Sequence, residues 1–493
     1  MRPVALVVLD GWGIAAPGPG NALSQARLPV WDGLGGLPRT TLETSGPAVG
    51  LAPGQAGNSN VGHMHIGAGR VILSDLRRID LAIAEGSFLA MPALVEALEA
   101  PRLHVLGLFS DGGVHSALGH WQSIVAARAG RGQTFYHLFT DGRDVAPTAS
   151  LGDLEAASSW PGFGVATLSG RYFAMDRDHR WPRIERAYRA IVDGQAVRRA
   201  TWRQALQESA RAGVTDEFME PVTIGDYQGA RPGDRFLFLN FRADRARELS
   251  HALADPEFSP FARPLGTFAL TTLTRYEEQG LLATPVFSPI SLSHTLGEEV
   301  SAAGLRQARV AETEKYAHVT YFLDGGREDA FSGETRHLVP SPQVATYDLK
   351  PQMSAGAVTD AALSALDDGA DLLVVNYANP DMVGHTGSIP AAIAAVEAVD
   401  RELGRLLSGI ARRSGVALVI ADHGNVEMMI DPETGGPHTA HTANPVPAVL
   451  VGMPQALLWP GGLIDVAPTL LELLGLPQPD AMTGRSLLRS QTA

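Results

Sequence analysis

The sequence predicts an α/β fold with two domains, each built on a mostly parallel sheet flanked by helices. Short apolar runs recur along the chain, and each is followed at once by a polar motif that contains glycine or asparagine. A long amphipathic helical pattern separates the last two of these runs. The length of 493 residues exceeds what a single hydrophobic core usually serves. We therefore expect strands and crossover helices to alternate in more than one domain.

The predicted strands are continuous apolar runs, which are typical of strands buried on both faces of a parallel sheet. In chain order they cover residues 4–9, 103–109, 133–139, 163–168, 236–239, 372–375 and 416–420. Ligands of such sheets bind beyond the carboxyl ends of the strands. The polar motifs directly after these runs therefore mark the functional edge of each sheet.

The helix predicted between the last two strands has an apolar residue every three or four positions. These residues are Ile393, Val396, Val399, Leu403, Leu406 and Ile410. Arg412 and Arg413 are expected in its last turn, and Gly415 is expected to end it before the next strand. This order of elements is that of a β-α-β crossover.

Two segments have the irregular composition of linkers, near residues 70–80 and at residues 285–293. If both are linkers, residues 1–75 and 291–493 form one discontinuous domain, and residues 76–290 form a second domain inserted into it. The polar motifs of the two predicted domains differ in chemical character. The ends of the chain carry residues that can bind metals, whereas the middle carries clustered arginines.

The composition limits the classes of function. The chain has no cysteine, which excludes disulfides, thiolate metal sites and cysteine nucleophiles. A formal net charge of −14 argues against binding to nucleic acid or to an anionic membrane surface. No apolar run has the length of a signal-peptide core or of a membrane span. We expect a cytoplasmic protein, and a monomer, that acts on a small molecule.

Residue types that bind metals lie at the two ends of the chain. They are Asp10, Asp381, His385, Asp422, His423 and His441, and Ser59 lies near the first of them in a glycine-rich loop. If the fold gathers them, they form a carboxylate and imidazole pocket for two divalent ions around an activated hydroxyl. Taken singly, each has an ordinary explanation, since Gly-Asn-Ser-Asn is common turn chemistry and an Asp four residues before a His is often incidental. The stronger signal is Asp422 and His423 at the end of an apolar strand, because buried polar groups need partners.

The predicted inserted domain places residues suited to anion binding at successive strand ends. They are His115, Arg143, Asp144, Arg171, Arg177, Arg242 and Arg245. Guanidinium forks bind phosphate and carboxylate groups in a bidentate manner. One arginine alone is more often a solvated charge or a structural ion pair, but several at neighbouring strand ends favour an anion site. Lysine occurs only at positions 315 and 350, and we attribute the overall bias toward arginine to genomic base composition.

Over nearly its whole length the chain resembles the cofactor-independent phosphoglycerate mutases, a family of the alkaline phosphatase superfamily. The resemblance rests on long matched runs in the same order. They cover residues 8–13, 58–70, 110–116, 141–144, 170–178, 240–245, 311–318, 379–385, 421–425 and 439–442. Matched runs of this length and order make the resemblance very specific.

The resemblance implies a phosphatase-like metal domain and an inserted substrate domain. One ion, usually manganese, would be held by Asp381, His385 and His441, and a second by Asp10, Ser59, Asp422 and His423. Phosphoglycerate would be bound by His115, Arg143, Asp144, Arg171, Arg177, Arg242 and Arg245, with Lys315 at the phosphate. Ser59 would carry the phosphoryl group while 3-phosphoglycerate and 2-phosphoglycerate interconvert without a bisphosphoglycerate primer.

The implied mechanism assigns Asp144 as the base that deprotonates the glycerate hydroxyl, with His115 assisting it. Water must be excluded, because hydrolysis of the phosphoserine would make the enzyme a phosphatase, and so we expect the two lobes to close during the reaction. The chain departs from the family pattern at three positions: Asn60 replaces a common Glu, His65 replaces an Asn, and Ala117 replaces a second histidine. None of these removes a predicted ligand.

Three other interpretations are compatible with parts of the pattern. A related metal-dependent phosphopentomutase or phosphatase would share the two-ion residues but should lack the arginine motifs of the middle segment. A non-catalytic binding protein would not need all seven metal-site residues. A purely structural protein would leave the polar strand ends unexplained.

Overall fold

Two eight-stranded sheets, each mostly parallel and accompanied by helices, organise the chain. The computed structural model describes residues 2–277, 280–289 and 292–489. The chain divides into unit 1, which comprises Met1–Leu73 and Ser291–Ala493, and unit 2, which comprises Ser74–Ile290. Ile290 and Ser291, where the second predicted domain boundary falls, lie outside the described residues. The predicted α/β fold class is confirmed.

The strands are numbered along the chain. The first eight are β1 (Val4–Leu9), β2 (Arg39–Glu43), β3 (Arg102–Leu108), β4 (Gln133–Thr140), β5 (Val165–Gly170), β6 (Val197–Arg199), β7 (Val222–Ile224) and β8 (Arg235–Phe238). The next eight are β9 (Ala269–Thr274), β10 (Ala283–Phe287), β11 (Gln307–Glu312), β12 (Glu334–Val339), β13 (Leu372–Tyr377), β14 (Val416–Ile420), β15 (Val446–Val451) and β16 (Gly461–Gly462).

The α-helices are numbered in the same way. The first nine are α1 (Ala22–Gln25), α2 (Pro29–Gly33), α3 (Ser59–Ala68), α4 (Asp75–Ala84), α5 (Pro92–Leu98), α6 (Leu118–Arg128), α7 (Ser150–Ala157), α8 (Arg171–Ala174) and α9 (Trp181–Tyr188). The next eight are α10 (Trp202–Arg211), α11 (Arg247–Ala254), α12 (Leu296–Ala302), α13 (Thr313–Ala317), α14 (Ala355–Asp367), α15 (Asn379–Gly384), α16 (Ile389–Arg412) and α17 (Val466–Leu474). Short π-helical turns, Arg189–Asp193 and His318–Phe322, extend α9 and α13.

The sheet of unit 1 has the strand order β12-β11-β13-β1-β14-β15-β2-β16. β1 lies near its centre and runs parallel to β13 on one side and to β14 on the other. All residues of these three strands are buried. Because parallel neighbours end at the same edge of a sheet, the residues directly after β1, β13 and β14 are brought close together.

The sheet of unit 2 has the strand order β10-β9-β8-β3-β4-β5-β7-β6. β3 runs parallel to both β4 and β8, and β4 runs parallel to β5, whereas β5 pairs with β7 in an antiparallel manner. The segments directly after β3, β4, β5 and β8 carry the predicted anion-binding motifs. Parallel pairing therefore places all four motifs at one edge of this sheet.

The seven predicted strands are all present, with ends that shift by up to two residues. β1 and β14 have the predicted bounds, whereas β13 continues two residues further than expected, to Tyr377. Apart from β16, which is two glycines, the strands that the sequence did not predict contain polar residues or proline. β11, for example, is buried at every position although it contains Arg309, whose guanidinium donates to the carboxylate of Asp324. Because Arg309 interrupts the apolar run, β11 lacks the sequence pattern by which a buried strand is normally identified.

The predicted long helix is α16, which ends at Arg412. Its buried residues include the six apolar residues that predicted it, apart from Ile393, which packs against the core from a partly buried position. The residue that adopts the left-handed backbone after the helix is Ser414, with φ of 53°, and not the expected Gly415. Gly415 is needed for a different reason, because a β-carbon there would lie 2.8 Å from the carbonyl oxygen of Pro3.

Within the residues that the structure describes, no helix is both long enough and apolar enough to cross a membrane. The longest helix, α16, is amphipathic and buries one face against the core of unit 1.

Helix α3 positions the first part of the site in unit 1. Asn58 caps its N-terminus, where the Asn58 side chain accepts a hydrogen bond from the backbone N–H of Val61 at 3.0 Å. Near its C-terminus the helix passes so close to the backbone at Leu323 that a β-carbon on Gly67 would lie 1.8 Å from the Leu323 carbonyl oxygen. Glycine at this position therefore allows the helix to pack against its neighbour.

We expect Gly67→Ala to lower the free energy of unfolding by about 3 kcal/mol, because the backbone it meets cannot move aside without disturbing the core. Urea denaturation followed by circular dichroism measures this. The matched control is Gly356→Ala in α14, where the nearest atom to a new β-carbon is 3.9 Å away. The control should change stability by less than about 1 kcal/mol. Equal effects of the two substitutions would contradict the packing argument.

Candidate metal centre and candidate anion site

Three aspartates meet at the carboxyl edge of the sheet in unit 1. Asp10 follows β1, Asp381 lies in the first turn of α15 just after β13, and Asp422 lies two residues after β14. All three side chains are buried, with at most 2% of the residue surface exposed. The parallel pairing of β13, β1 and β14 is what brings these residues together, although up to 412 positions separate them in the chain.

Ser59 is the first residue of α3 and is buried beside Asp10. The sequence placed it in a loop, but Gly57 and Asn58 alone precede the helix, and Gly62 lies within it. The Ser59 hydroxyl lies 3.3 Å from Asp10 Oδ1 and 2.9 Å from His423 Nε2. At the N-terminus of a helix, the unpaired backbone N–H groups and the helix dipole favour negative charge on such a hydroxyl.

The three histidines of the predicted centre surround Asp381. His385 Nε2 and His441 Nε2 each lie 3.2 Å from Asp381 Oδ1, and these two ring nitrogens are 3.1 Å apart. The ring of His423 stacks on that of His441 at 3.9 Å between centroids. His423 Nε2 also lies 3.4 Å from Asp10 Oδ1. His423 is thus close to both groups of ligands that the sequence predicted, and not to one alone.

Two sets of side chains have the spacing of a metal site. Asp381, His423 and His441 form one set, and Asp10, Asp422 and His423 form the other, with ligand atoms within 4.8 Å of one another. Carboxylate and imidazole donors without thiolates suit hard or borderline divalent ions. Asp422 Oδ2 is buried and accepts no hydrogen bond from the described residues, although His63 Nδ1 lies 3.3 Å away. The donor set and this unpaired oxygen therefore fit a divalent cation.

Lys315 compensates part of this buried negative charge. Its ammonium donates to Asp10 Oδ1 at 2.7 Å, to Asp381 Oδ2 at 2.6 Å and to the Ser59 hydroxyl at 2.7 Å. Burial acts to lower the pKa of Lys315, but Asp10 and Asp381 raise it above its ordinary value. The lysine is therefore charged in the folded protein, and it links the serine to two of the three aspartates.

The aspartates titrate differently because their surroundings differ. Burial and the nearby Asp422 raise the pKa of Asp10. Burial also acts to raise the pKa of Asp381, but Lys315 and His385 lower it well below its ordinary value. The surroundings thus stabilise the ionised form of Asp381 more effectively than that of Asp10, although Lys315 contacts both.

Several residues that support these ligands were not identified from the sequence. Asn376, in β13, donates from Nδ2 to Asp10 Oδ2 at 2.7 Å, and its Nδ2 lies 3.1 Å from His63 Nε2. Asn425 Nδ2 donates to Asp381 Oδ1 at 3.0 Å. Asn425 belongs to the polar run after β14, so its position could have been noticed. Asn376 directly follows the predicted strand 372–375, so it too lay in a polar motif, but β13 continues to Tyr377 and Asn376 lies within the strand.

Glu312, three residues before Lys315, is a fully buried carboxyl group at the end of β11. It accepts hydrogen bonds from the Ser341 hydroxyl at 2.8 Å and from the backbone N–H of Ser354 at 3.4 Å. Burial raises the pKa of Glu312 to about 7. The carboxyl group therefore changes its protonation state near neutral pH while it contacts the two segments that pack beside α13.

In unit 2, Arg171 links two aspartates of the motif directly after β4. Its Nη1 donates to Asp141 Oδ1 at 2.6 Å and to Asp144 Oδ2 at 2.5 Å. Asp141 also accepts from the Ser110 hydroxyl at 2.7 Å. Asp141 was not among the predicted site residues, although it begins the motif 141–144. It holds Arg171, and its other hydrogen bonds connect the motifs after β3 and β4.

His115 lies between two carboxylates. Its Nε2 is 3.9 Å from Asp144 Oδ2, and its Nδ1 is 3.7 Å from Asp244 Oδ1. Burial and the charge of Arg171 lower the pKa of His115 to about 4, so the imidazole is neutral at physiological pH. Asp244, which sequence reasoning missed, also pairs with Arg177 at 3.1 Å and with Arg242 at 3.2 Å. Asp244 therefore holds together the histidine and two of the predicted arginines.

A polar cavity of about 380 Å³ lies beside this network. Among the residues that line it are Arg143, Arg171, Arg177 and Arg245. Burial and repulsion by Arg177 lower the pKa of Arg245 from its ordinary value. Arg242 does not line the cavity directly, but it contacts Asp244. Arg180 and Arg183 also line the cavity, so six guanidinium groups surround it together with the carboxylates of Asp176, Asp178 and Glu217. This excess of guanidinium groups suits an anion.

Three positions depart from the family pattern. Asn60 and His65 lie in unit 1, and Ala117 lies in unit 2. Asn60 Oδ1 lies 2.9 Å from His318 Nε2. His65 Nδ1 lies 2.7 Å from the carbonyl oxygen of Val61, and the His65 Nε2 accepts from the backbone N–H of Ile72 at 3.0 Å. His65 therefore joins α3 to the next segment and has a structural role. Ala117 precedes α6 and provides no side-chain cap.

Comparison with known proteins adds evidence on the family. Residues 2–478 match the model of the metalloenzyme superfamily. A protein of Cereibacter sphaeroides called 2,3-bisphosphoglycerate-independent phosphoglycerate mutase is 51% identical over 502 residues, which cover 99% of each chain. A protein of the same name from Chloroflexus aggregans is 49% identical, over 99% of this chain and 98% of its own. The solved phosphoglycerate mutase of Leishmania mexicana is 32% identical, with a TM-score of 0.68 over 99% of this chain and 98% of that one.

The raised pKa of Glu312 predicts a pH dependence of stability. Because the folded protein binds this proton more tightly than the unfolded chain, the contribution is complete below pH 4.5 and is lost as the pH rises through about 7. Relative to the wild type, Glu312→Gln should therefore become more stable by roughly 2–3 kcal/mol between pH 5 and pH 8. Urea denaturation of the metal-free protein at the two pH values measures this difference.

The matched control is Glu328→Gln, since Glu328 is an exposed residue of unit 1 and is not among the groups that shift the pKa of Glu312. Its stability relative to the wild type should be the same at both pH values. A Glu312→Gln protein that keeps the wild-type pH dependence would show that Glu312 does not titrate as described.

Proposed function

The chain belongs to the metalloenzyme superfamily and to its 2,3-bisphosphoglycerate-independent phosphoglycerate mutases, and from this we propose that it interconverts 3-phosphoglycerate and 2-phosphoglycerate without a bisphosphoglycerate primer. It is then an isomerase that moves a phosphoryl group within one molecule. The observation that carries the proposal is the position of Ser59, whose hydroxyl lies within hydrogen-bonding distance of Lys315 Nζ and His423 Nε2 among three buried aspartates.

We propose that two divalent ions, most suitably Mn²⁺, complete the centre in unit 1. Asp381, His385 and His441 are the proposed ligands of one ion, and Asp10, Ser59, Asp422 and His423 are those of the other. When bound, such ions supply positive charge that lowers the pKa of a serine hydroxyl and neutralises a transferring phosphoryl group. The closeness of His423 to both sets suggests that it is the residue through which the two ion sites are coupled.

Ser59 is the proposed acceptor of the phosphoryl group. Its place at the start of α3 directs backbone N–H groups toward the phosphoryl oxygens. Lys315 can donate to the same oxygens, because its ammonium already lies 2.7 Å from the Ser59 hydroxyl. Serine nucleophiles need an activated hydroxyl, and both contacts favour the ionised form.

The residues of unit 2 are proposed to hold the rest of the substrate. Arg143, Arg171, Arg177 and Arg245 around the cavity provide guanidinium donors for the carboxylate and the phosphate of phosphoglycerate. Arg242 would assist through Asp244. Asp144 is the proposed base for the glycerate hydroxyl, and His115 is its proposed neutral partner, because its lowered pKa keeps the imidazole uncharged and one ring nitrogen can accept a hydrogen bond.

A phosphatase of the same superfamily is the second candidate function, since it would use the same residues of unit 1. A mutase must in addition bind glycerate so that its second hydroxyl receives the phosphoryl group before water does. The arginine-lined cavity favours the mutase, because a simple phosphatase has no need to retain the alcohol. The proposed reaction belongs to glycolysis and gluconeogenesis, and we propose that it takes place in the cytoplasm. The monomeric state stays a prediction.

Replacing Ser59 by Ala should abolish mutase activity, by at least about 10⁴-fold in kcat, because it removes the hydroxyl that is the proposed acceptor of the phosphoryl group. The assay uses the metal-stripped protein with Mn²⁺ restored and no bisphosphoglycerate. Ser301→Ala is the control, since its hydroxyl donates to the carbonyl oxygen of Ser332 on another part of unit 1. Retained turnover in Ser59→Ala would contradict the phosphoserine route, and wild-type activity that requires the primer would contradict the proposed reaction.

Arg245→Ala should raise the KM for phosphoglycerate by about 10- to 100-fold, because it removes a guanidinium group from the proposed anion site. Arg247→Ala is the matched control two residues away. Arg247 lies in α11 and donates from Nε to the carbonyl oxygen of Tyr276, and it does not line the cavity. Steady-state kinetics in both directions measures the effect. Equal KM values for the two variants would remove Arg245 from the substrate site.

A further inference from the structure

Glu427 is a buried carboxylate that the proposed mechanism does not use. It lies five residues after Asp422, and 2% of its surface is exposed. Four neutral donors converge on it. Its Oε2 accepts from the backbone N–H of Gly13 at 3.1 Å and of Asn425 at 2.8 Å. Its Oε1 accepts from the side-chain amide of Asn444 at 2.9 Å and from the hydroxyl of Thr442.

These four donors lie on three segments, and each segment also carries proposed metal ligands. Gly13 is three residues after Asp10, and Asn425 is two residues after His423. Thr442 directly follows His441 in the chain. Glu427 is therefore hydrogen-bonded to three segments of the centre, but not to the segment that carries Ser59 or to the one that carries Asp381 and His385.

Asn425 connects Glu427 to the segment that carries Asp381 and His385. While its backbone N–H donates to Glu427, its side-chain amide donates to Asp381 Oδ1 at 3.0 Å. The α15 helix approaches so closely that a β-carbon on Gly384 would lie 2.2 Å from the Asn425 side-chain oxygen. A displacement of Glu427 would therefore be transmitted to Asp381 through Asn425.

Gly13 and Gly424 lie so close to the Glu427 carboxylate that neither position has room for a β-carbon. A β-carbon on Gly13 would lie 2.3 Å from its carboxyl carbon, and one on Gly424 would lie 2.3 Å from its Oε1. Both glycines therefore provide room for the carboxylate. A group that accepts four hydrogen bonds in such a confined space holds its three donor segments at fixed distances from one another.

We propose that Glu427 is a positioning residue of the metal centre, and that the affinity of the protein for divalent ions depends on its carboxylate. The inference rests on the proposed metal centre. Replacing the carboxylate by the carboxamide of Gln keeps the shape but turns one acceptor oxygen into a donor that faces two donors. One pair of donors is then released, either those of Gly13 and Asn425 or those of Thr442 and Asn444, and the proposed ligands near them lose their alignment with the rest of the centre.

Asp465 provides a matched control within unit 1. Its carboxylate is 7% exposed and accepts from the backbone N–H groups of Gly462 at 2.8 Å and Arg485 at 2.7 Å. A β-carbon on Gly461 would lie 2.3 Å from its Oδ2. It is therefore another buried carboxylate that joins chain segments beside a glycine, but the segments carry no proposed ligand.

The experiment is isothermal titration of the metal-stripped protein with Mn²⁺, together with urea denaturation of the same metal-free samples. Glu427→Gln should weaken Mn²⁺ binding by about 10- to 100-fold. Asp465→Asn should lower the stability of the metal-free protein and leave Mn²⁺ binding unchanged. Wild-type affinity in Glu427→Gln would overturn the inference, and so would an equal loss of affinity in Asp465→Asn, which would show that general destabilisation is the cause.

Asn444→Ala serves if Glu427→Gln does not fold. It removes one of the four donors and keeps the carboxylate, and it should weaken Mn²⁺ binding by several-fold, about 3- to 10-fold. Unchanged binding in this variant would also overturn the inference. A wild-type protein that binds no Mn²⁺ would instead contradict the proposed function, so the two failures are distinguishable.

Discussion

The ionic contact on which the site in unit 1 depends is that of Lys315 with Asp10 and Asp381. Three carboxylates buried side by side repel one another, and burial also disfavours their charged forms. The ammonium of Lys315 lies within 2.7 Å of two of them and of the Ser59 hydroxyl. Removal of one partner from such a buried pair leaves an uncompensated charge, which is strongly destabilising. The lysine therefore both stabilises the folded centre and places positive charge at the proposed nucleophile.

This contact also explains why a lysine persists in a chain whose cations are almost all arginines. An ammonium is a compact charge with donors in several directions, whereas a guanidinium is planar and wider. The three acceptors around Lys315 Nζ belong to Asp10, Ser59 and Asp381, which approach it from three different segments. A tetrahedral donor matches this arrangement, and a planar fork does not.

Unit 2 balances charge in the opposite way. Around its cavity the arginines outnumber the carboxylates, and the aspartates 141, 144 and 244 pair with Arg171, Arg177 and Arg242. The protein has a net charge of −14, so this concentration of guanidinium groups is a local exception to the overall charge. It makes the cavity favourable for an anion. The acidic residues prevent the arginines from separating by mutual repulsion while leaving donors free on the cavity side. The candidate site of each unit thus combines residues of one charge with a smaller number of residues of the opposite charge that contact them.

The fold class, the central strands and the types of residue at the strand ends could be predicted from the sequence, because they depend on local apolar runs and on the motifs directly after those runs. β1 and β14 were predicted to the residue, and several of the candidate site residues, such as Asp422 and Arg143, were chosen because they lie in motifs directly after predicted strands. Which of these residues meet depends on the three-dimensional fold, since contacts such as Ser59 with His423 join segments 364 positions apart. Asp141, Asp244, Asn376 and Glu427 also became apparent only in three dimensions. A buried polar residue is recognised by the partners that satisfy it, and those partners lie on other segments that no local pattern can specify.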